Sequence, residues 1–576
     1  MIITILIASF LKRTWGTAFF VSLTVFCVQI PFVNVSANNT LTDDKVYNID
    51  SLITVVDGTV APYHQLEPGD TLNILAGNRQ NLLLQNISGS SEKPIVIINK
   101  GGIVTFNTDS YYGISIRNCR FIHLTGQGST QDFYGIRIER VAGGAGIGIG
   151  DRSSDFEIDH ISIANTLLGG IYAKTDPECN TSTTRNQFTQ FNTNIHDNRI
   201  ANVGNEGMYI GSTKYDGITQ NCDGKDTLLL PSVLKGVRIY NNILEYTAWD
   251  GIQVSSATED CRIYGNMVLY DSQEGYFSQM SGIMLGGGSK CDCYNNYISQ
   301  GKGNGIESHG LGGYRIFNNI IVDAGQSYLP LDSTERKFGI YVSDISVEKD
   351  SSFQLLFNTI INPKTDGIRF QSIASRQNII SSNLILNPGA YDYYENGNTS
   401  YTGDDAYIMI PDHSSDVILQ NNYKSRSIQN TGISMTDFKP LKGSPLIDAA
   451  STNLFGVDFD FAYKDRPNGS AADIGAFEYD HFQVGTDTMN QNNALMAYPN
   501  PVRSMLNVRF SSNQGTEASL MIYDLSGKLL IKQSQVYQTG DVEEIKVQVD
   551  GLGTGIYLFS LKCGEKIQSG KMIKIS

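Results

Sequence analysis

A Gly-hydrophobic motif recurs along this chain from about Gly113 to Asn422, alternating with a second series built around Asn. The first series reads YGISI, YGIRI, GGIYA, EGMYI, DGIQV, SGIML, NGIES, FGIYV and DGIRF. The second reads IHDNRI, IYNNIL, IYGNMV, CYNNYI, IFNNII, LFNTII and ISSNLI. With Asn242, Asn266, Asn296 and Asn319 as register marks, the spacings are 24, 30 and 23 residues. Repetition at this period makes a solenoid, and the short β-type segments make it a β-solenoid. Such a fold presents one long ridged surface, so function has to be sought along columns of the ladder. The Gly-Ile pair marks strand entry, with Ile inward and the next residue outward. The Asn marks a tight bend, because Asn tolerates left-handed backbone, and stacked Asn side chains can hydrogen-bond along the column.

At 576 residues the chain is too long for one compact core, but a solenoid adds core coil by coil. Lys12 and Arg13 precede an apolar stretch around Ala18–Val35, followed by Val35-Ser36-Ala37. A basic start, an apolar stretch and a small-residue cleavage site read as a secretory signal peptide over 1–37, the alternative being a membrane anchor. No second long apolar run follows, so no integral membrane segment is expected after cleavage. The formal charge is −15, and removing Lys12 and Arg13 takes the mature chain to −17. That balance argues against nucleic acid as a partner but leaves an anionic polysaccharide open, since a local row of Lys and Arg can override the global sign.

Seven cysteines remain after cleavage, in an oxidising compartment that permits bridges. Cys179 and Cys222 lie in polar insertions that leave successive coils, which suits a loop-clamping disulfide. Cys261 and Cys291 each stand five residues before a register Asn. They should stack about 4.8 Å apart, as a bridge or as a column of buried thiols. No CxxC pair or His partner stands at metal-ligand spacing.

Residues about 45–110 lead into the ladder, which runs to about Tyr423 with polar insertions at 175–195, 212–233 and 322–336. From Leu441 the texture turns irregular (LKGSPLIDAA, then DFDFAYKDRPNGSAADIGAFEYD), as expected of a cap over the last coil, so 45–480 forms one unit. A polar linker, 481–494, precedes a module over 495–576 whose short alternating strands read as a small β-sandwich. The fold class is therefore all-β.

That terminal module resembles the C-terminal sorting domain of the Bacteroidetes type IX secretion system. The matching residues are Tyr498-Pro499-Asn500-Pro501, Tyr523-Asp524-Leu525-Ser526-Gly527-Lys528, Gly555-Ile556-Tyr557 and Lys571-Met572-Ile573-Lys574. The resemblance implies handling by the type IX machinery, export through periplasm and outer membrane, removal of the domain, and release or attachment at the cell surface. The ladder resembles right-handed parallel β-helix proteins of the pectate lyase type, and GSPLIDAA followed by DIGAFE is similar to the closing segment of many secreted bacterial β-helices. One such fold hosts lyases, hydrolases, epimerases and inert adhesins. The catalytic signatures of polygalacturonases and of the chondroitinase B and alginate lyase group are absent, so no family's catalytic residues carry over.

Strand parity sorts the candidates. The first outward column reads Tyr172, Tyr209, Gln253, Met284, Glu307, Tyr341 and Arg369. The second reads Lys174, Gly211, Ser255, Gly286, His309, Ser343 and Gln371. Tyrosines, small residues and a few charges on one strip suit a sugar-binding groove. Glu307 and His309, two apart and facing the same way, could supply general acid and base. Lys174 and Arg369 are cationic alternatives of the kind that lyases of this fold usually need, but they lie several coils apart. Glu206 and Asp250 precede the entry Gly on consecutive coils. Their spacing fits a retaining glycosidase pair or a Ca²⁺ site, yet they share phase with inward Met208 and Ile252 and so read as corner residues capping turns. Trp249 adjoins Asp250 and serves packing or sugar stacking. Asp176, Glu178, Asp216 and Asp223 in the insertions could bind Ca²⁺, the one cofactor considered, though no ligand spacing is compelling. The expectation is a monomeric, secreted or cell-surface protein acting on polysaccharide, as a lyase or glycoside hydrolase. The alternative is a noncatalytic glycan-binding or adhesion protein.

Overall fold

The computed structural model describes residues 44–129, 132–329, 335–389, 406–434, 437–479, 496–498, 502, 504–511, 517–525, 527–537, 542–553, 555–564 and 566–574. The signal peptide, the 481–494 linker and part of the Tyr498-Pro499-Asn500-Pro501 motif lie outside the described residues. No helix among the described residues is long and apolar enough to cross a membrane.

Each ladder coil lays down three strands. One coil supplies Cys291–Tyr294, Tyr297–Ser299 and Asn304–Ser308. The next supplies Tyr314–Phe317, Ile320–Val322 and Ile340–Ser343, each pairing in parallel with its counterpart. One face is a 12-stranded sheet. The other two merge into a 23-stranded sheet near the N-terminal end, where the long strand Ile95–Thr108 pairs with Arg120–Thr125 and with Ile136–Val141. Inward side chains such as Ile171, Met208, Ile252, Ile283 and Ile306 stack at 0% exposure. Each such burial is worth about 1.5–3 kcal/mol, so every coil contributes its own share of core.

The Gly of each entry is set by close approach. A Cβ at Gly251 would lie 2.5 Å from the Gly282 carbonyl oxygen, and one at Gly305 would lie 2.5 Å from that of Gly339. The Asn column differs from expectation in one respect. The left-handed residue is the one before each register Asn: Asn241 (φ 55°), Gly265 (63°), Asn295 (53°) and Asn318 (52°). The register Asn itself turns inward. Asn242, Asn266, Asn296 and Asn319 are 0–1% exposed, and each Nδ2 donates to the next Oδ1 at 3.0 Å.

The segment after Leu441 does more than close the last coil. It runs back along the flank, where Asp460, Phe461 and Phe459 carbonyls accept from Asn295 and Asn318. The reason is apolar. Tyr264, Tyr294 and Phe317 stack outside the ladder, and Phe459 packs edge-on against the last two. The C-terminal module is antiparallel, with sheets of three and four strands around Leu506, Phe510, Leu520 and Phe559. It packs Met521, Tyr523 and Leu558 against Phe133, Tyr134, Ile243 and Met267 of the solenoid, and Lys571 Nζ donates to the Asn242 and Gly265 carbonyls.

Candidate functional site

The outward column that parity predicts exists in full register on the 12-stranded face. Tyr172, Tyr209, Gln253, Met284, Glu307, Tyr341 and Arg369 are successive partners. The strip is not open along its length, however. Gln253 and Met284 are 4% exposed, and Gln253 Nε2 donates to Gln279 Oε1 at 3.2 Å, so an insertion over 270–280 covers the middle of the column. Gln253 is therefore covered rather than presented to a substrate.

Walls stand on both sides. Before strand entry, Trp249 stacks on Tyr276 (4.8 Å between centroids, 15°), and Tyr276 and Phe277 are 53% and 61% exposed. Beyond strand exit, the 212–233 insertion folds into a hairpin, Ile218–Cys222 with Lys225–Leu229. Its base brings Tyr215 onto Gly288, where a Cβ would meet the ring at 2.0 Å. Arg185 stacks on Tyr215 at 4.1 Å, and a Cys179–Cys222 disulfide ties the two insertions. Cys261 and Cys291 are register partners on adjacent coils and are also bonded, with Cα atoms 4.4 Å apart.

Glu307 and His309 meet between these walls. Glu307 Oε1 lies 2.6 Å from His309 Nε2, and Oε2 accepts from Ser281 Oγ (2.7 Å) and Asn304 Nδ2 (2.6 Å). His309 Nδ1 contacts Ser343 Oγ. Both side chains remain 14% exposed. Burial alone would raise the Glu307 carboxyl. The hydrogen bond and charge of His309, with Ser281 and Asn304, outweigh it and hold Glu307 below the ordinary range.

Asp250 shows the reverse. It is 0% exposed and neither carboxyl oxygen has a well-formed hydrogen bond. Burial, then the charges of Glu307 and Glu206, push it well above the ordinary range, with the Ser281 amide pulling the other way. Glu206 accepts from Tyr172 Oη at 3.2 Å and is also raised, chiefly by burial. These two are not turn caps. The chain bends at the entry Gly, so residues preceding it form a column beside the outward one. That column reads Glu206, Asp250, Ser281, Asn304, Phe338 and Asp366. Its contacts run to Tyr172, Glu307 and Arg369. The corner position follows from phase as expected; reading the pre-Gly residues as a column of their own would also have shown the contacts to Tyr172, Glu307 and Arg369.

Two further groups escaped the sequence reading. Asp271 is buried and raised to about 6 by burial, against a 2.7 Å hydrogen bond from Ser272. Lys337 is 4% exposed, lies over the Phe277 and Tyr328 rings, and is lowered by burial while Glu307, Asp250 and Asp271 act to raise it. The remaining candidates are engaged elsewhere. Lys174 pairs with Asp176 (2.9 Å) and lies over Tyr209, Arg369 pairs with Asp366 (3.0 Å) and lies over Phe338, and Tyr341 donates to Gln371 (2.7 Å). The insertion carboxylates considered for Ca²⁺ do not converge among the described residues, where the group at ligand distance is His123, Glu157 and Asp159. A cavity of about 310 Å³ lies on the C-terminal module, lined by Glu517, Ser519, Lys532, Ser534 and Lys562, and takes in none of the Glu307 cluster. Converging polar groups, rather than a deep cavity, mark the candidate site.

Residues 228–423 match the family described as right handed beta helix region, and residues 496–575 match the secretion system C-terminal sorting domain. No curated protein matches the chain. Among solved structures it is similar to a GH136 lacto-N-biosidase from Eubacterium ramulus (12% identity over 67% of this chain and 69% of that one, TM-score 0.40). It is also similar to pectate lyase Pel9A (12%, 76% and 97%, 0.35) and to an alginate lyase from Paenibacillus sp. (12%, 66% and 98%, 0.31). The two family matches, the three-faced parallel ladder and the antiparallel C-terminal module agree, and the chain is a right-handed parallel β-helix protein that ends in a type IX secretion sorting domain directing it to the cell surface or beyond.

Proposed function

We propose that this protein is a glycan-degrading enzyme, a glycoside hydrolase whose ionised carboxylate is Glu307 and whose protonated carboxyl is Asp250. The observation that carries this reading is the split between them. Two neighbouring carboxyls feel each other's charge, one held below the ordinary range by His309 and the other pushed well above it by burial. Opposed environments of this kind separate the base from the acid in glycosidases. Glu307 activates water or attacks the anomeric carbon, His309 orients it, and Asp250, 0% exposed, is the proton reserve for the leaving oxygen and delivers it through an intervening water. Trp249, Tyr276 and Phe277 offer apolar ring faces for sugar stacking. Lys337 favours a second reading, β-elimination, since a buried amine lowered beside Glu307 could take a proton from a uronate.

Incubating the full chain with a panel of neutral and uronate glycans tests this. Hydrolysis gives new reducing ends without the ultraviolet absorbance of an unsaturated sugar, and E307Q removes them. Unsaturated product that survives E307Q but not K337A would replace the first reading with the second. Binding without either product would leave a noncatalytic glycan-binding protein.

A further inference from the structure

Three of the seven histidines stand on the large sheet rather than on the Glu307 face: His123, His160 and His196. Two of them are locked by register to carboxylates. His123 of strand Arg120–Thr125 is the partner of Glu157 in Ser154–Asp159, and Asp159 of that strand is the partner of His196 in Thr189–His196. Glu157 and Asp159 are two residues apart and so share a side of the strand. Two successive coils thus bring His123, Glu157 and Asp159 to one spot, and a third sets His196 against Glu157. Asp159 Oδ2 contacts His123 Nε2. His196 Nε2 lies 2.8 Å from Glu157 Oε1 and 4.0 Å from Asp159 Oδ2, and ligand atoms of His123, Glu157 and Asp159 fall within 4.8 Å of one another. A tetrahedral ion with bonds of about 2.0–2.1 Å needs ligand atoms about 3.3 Å apart; His123, Glu157 and Asp159 already form a group within 4.8 Å, and His196, held against Glu157, closes on it as the fourth ligand.

The surroundings orient the same atoms. His196 Nδ1 is 2.8 Å from Asp197 Oδ2, and its ring stacks on Tyr240 at 4.4 Å. Asp159 is 0% exposed, and its Oδ1 is engaged by Thr125 Oγ1 and His160 Nδ1, both at 2.6 Å, which leaves Oδ2 for the centre of the group. Carboxylates fixing the far nitrogen of a ligating imidazole are a usual second layer of metal sites. Two nitrogens and two oxygens suit a first-row divalent ion better than Ca²⁺, which takes six to eight oxygens.

We propose that His123, Glu157, Asp159 and His196 bind one divalent transition-metal ion through Nε2, Oε1, Oδ2 and Nε2. Bound there, it would cross-link three coils.

Calorimetric titration of the full chain with Zn²⁺ tests this. One equivalent should bind, and Co²⁺ should give the intense visible absorption of a tetrahedral site. H123Q and H196Q should each weaken Zn²⁺ binding by about 100-fold or more, D197N by about 10-fold, and H309Q not at all. If H196Q does not fold, H123Q decides, because the His123 side chain is 25% exposed. No heat up to millimolar Zn²⁺, or affinity unmoved by H123Q, would reduce the cluster to an ion-pair network.

Discussion

Asn296 and Asp250 are both polar, both 0% exposed and both set at bends of the same coil stack, yet they have opposite fates. Asn296 donates to Ile263 O (2.9 Å) and Asn319 Oδ1 (3.0 Å), and its own Oδ1 accepts from Asn266. Asp250 has no such partners. The difference is repetition. A buried amide that recurs on every coil is satisfied by its own copies, as donor to one and acceptor from the other. The pre-Gly column changes residue at each coil, so Asp250 has no matching neighbour, and burial with Glu307's charge pushes it well above the ordinary range. In a solenoid, a repeated polar residue supports the fold, and a break in a polar column is where chemistry can collect.

If that contrast is right, E307Q should lower glycan turnover by about 10²–10⁴-fold while leaving the urea midpoint nearly unmoved. N296A should do the opposite, losing about 2–4 kcal/mol in urea unfolding because Asn266 and Asn319 lose partners, with turnover per folded molecule retained. A variant that lost both equally would erase the distinction. The next effect is one of pH. Asp271 holds its proton to about 6 in the fold against 3.8 when free. The native state therefore binds more protons than the unfolded one in between, and stability falls as pH rises from about 4 to about 6. The loss reaches at most about 3 kcal/mol and is flat above that window. D271N should lack this slope when the two proteins are compared by urea midpoint across the range. Smallest of all, W249A should raise KM about fivefold with kcat retained, the mark of a lost stacking contact worth about 1 kcal/mol.

Much of this arrangement was legible beforehand because a solenoid translates spacing into position. Tyr172 to Arg369 could be named in column order from parity alone, and so could the pairing of Glu307 with His309. The Cys261–Cys291 contact followed from equal distance to a register Asn. What parity could not carry was coverage. Gln253 and Met284 belong to the column but lie under Gln279 and its neighbours, whose placement no repeat encodes. Lys337 and Asp271 stand in segments between strands, where no phase counts them. Glu206 and Asp250 sit at the corner as phase implies, but their side chains cap no turn: Glu206 takes Tyr172 Oη, and Asp250 has no well-formed partner. The His123 group lies on another face, whose strands Arg120–Thr125 and Ser154–Asp159 carry no entry Gly to mark their phase.

The Asn ladder has one more consequence. Successive rungs are separated by 23 residues in one place and 39 in another, and the side chains still meet at 3.0 Å. The corner takes no account of how much chain travels between its visits. Length between rungs is thus a free coordinate. Doubling an excursion such as 212–233 would cost only about 0.6 kcal/mol in loop entropy, so the walls beside Glu307 can be rewritten by splicing while the masonry under them stays as it is.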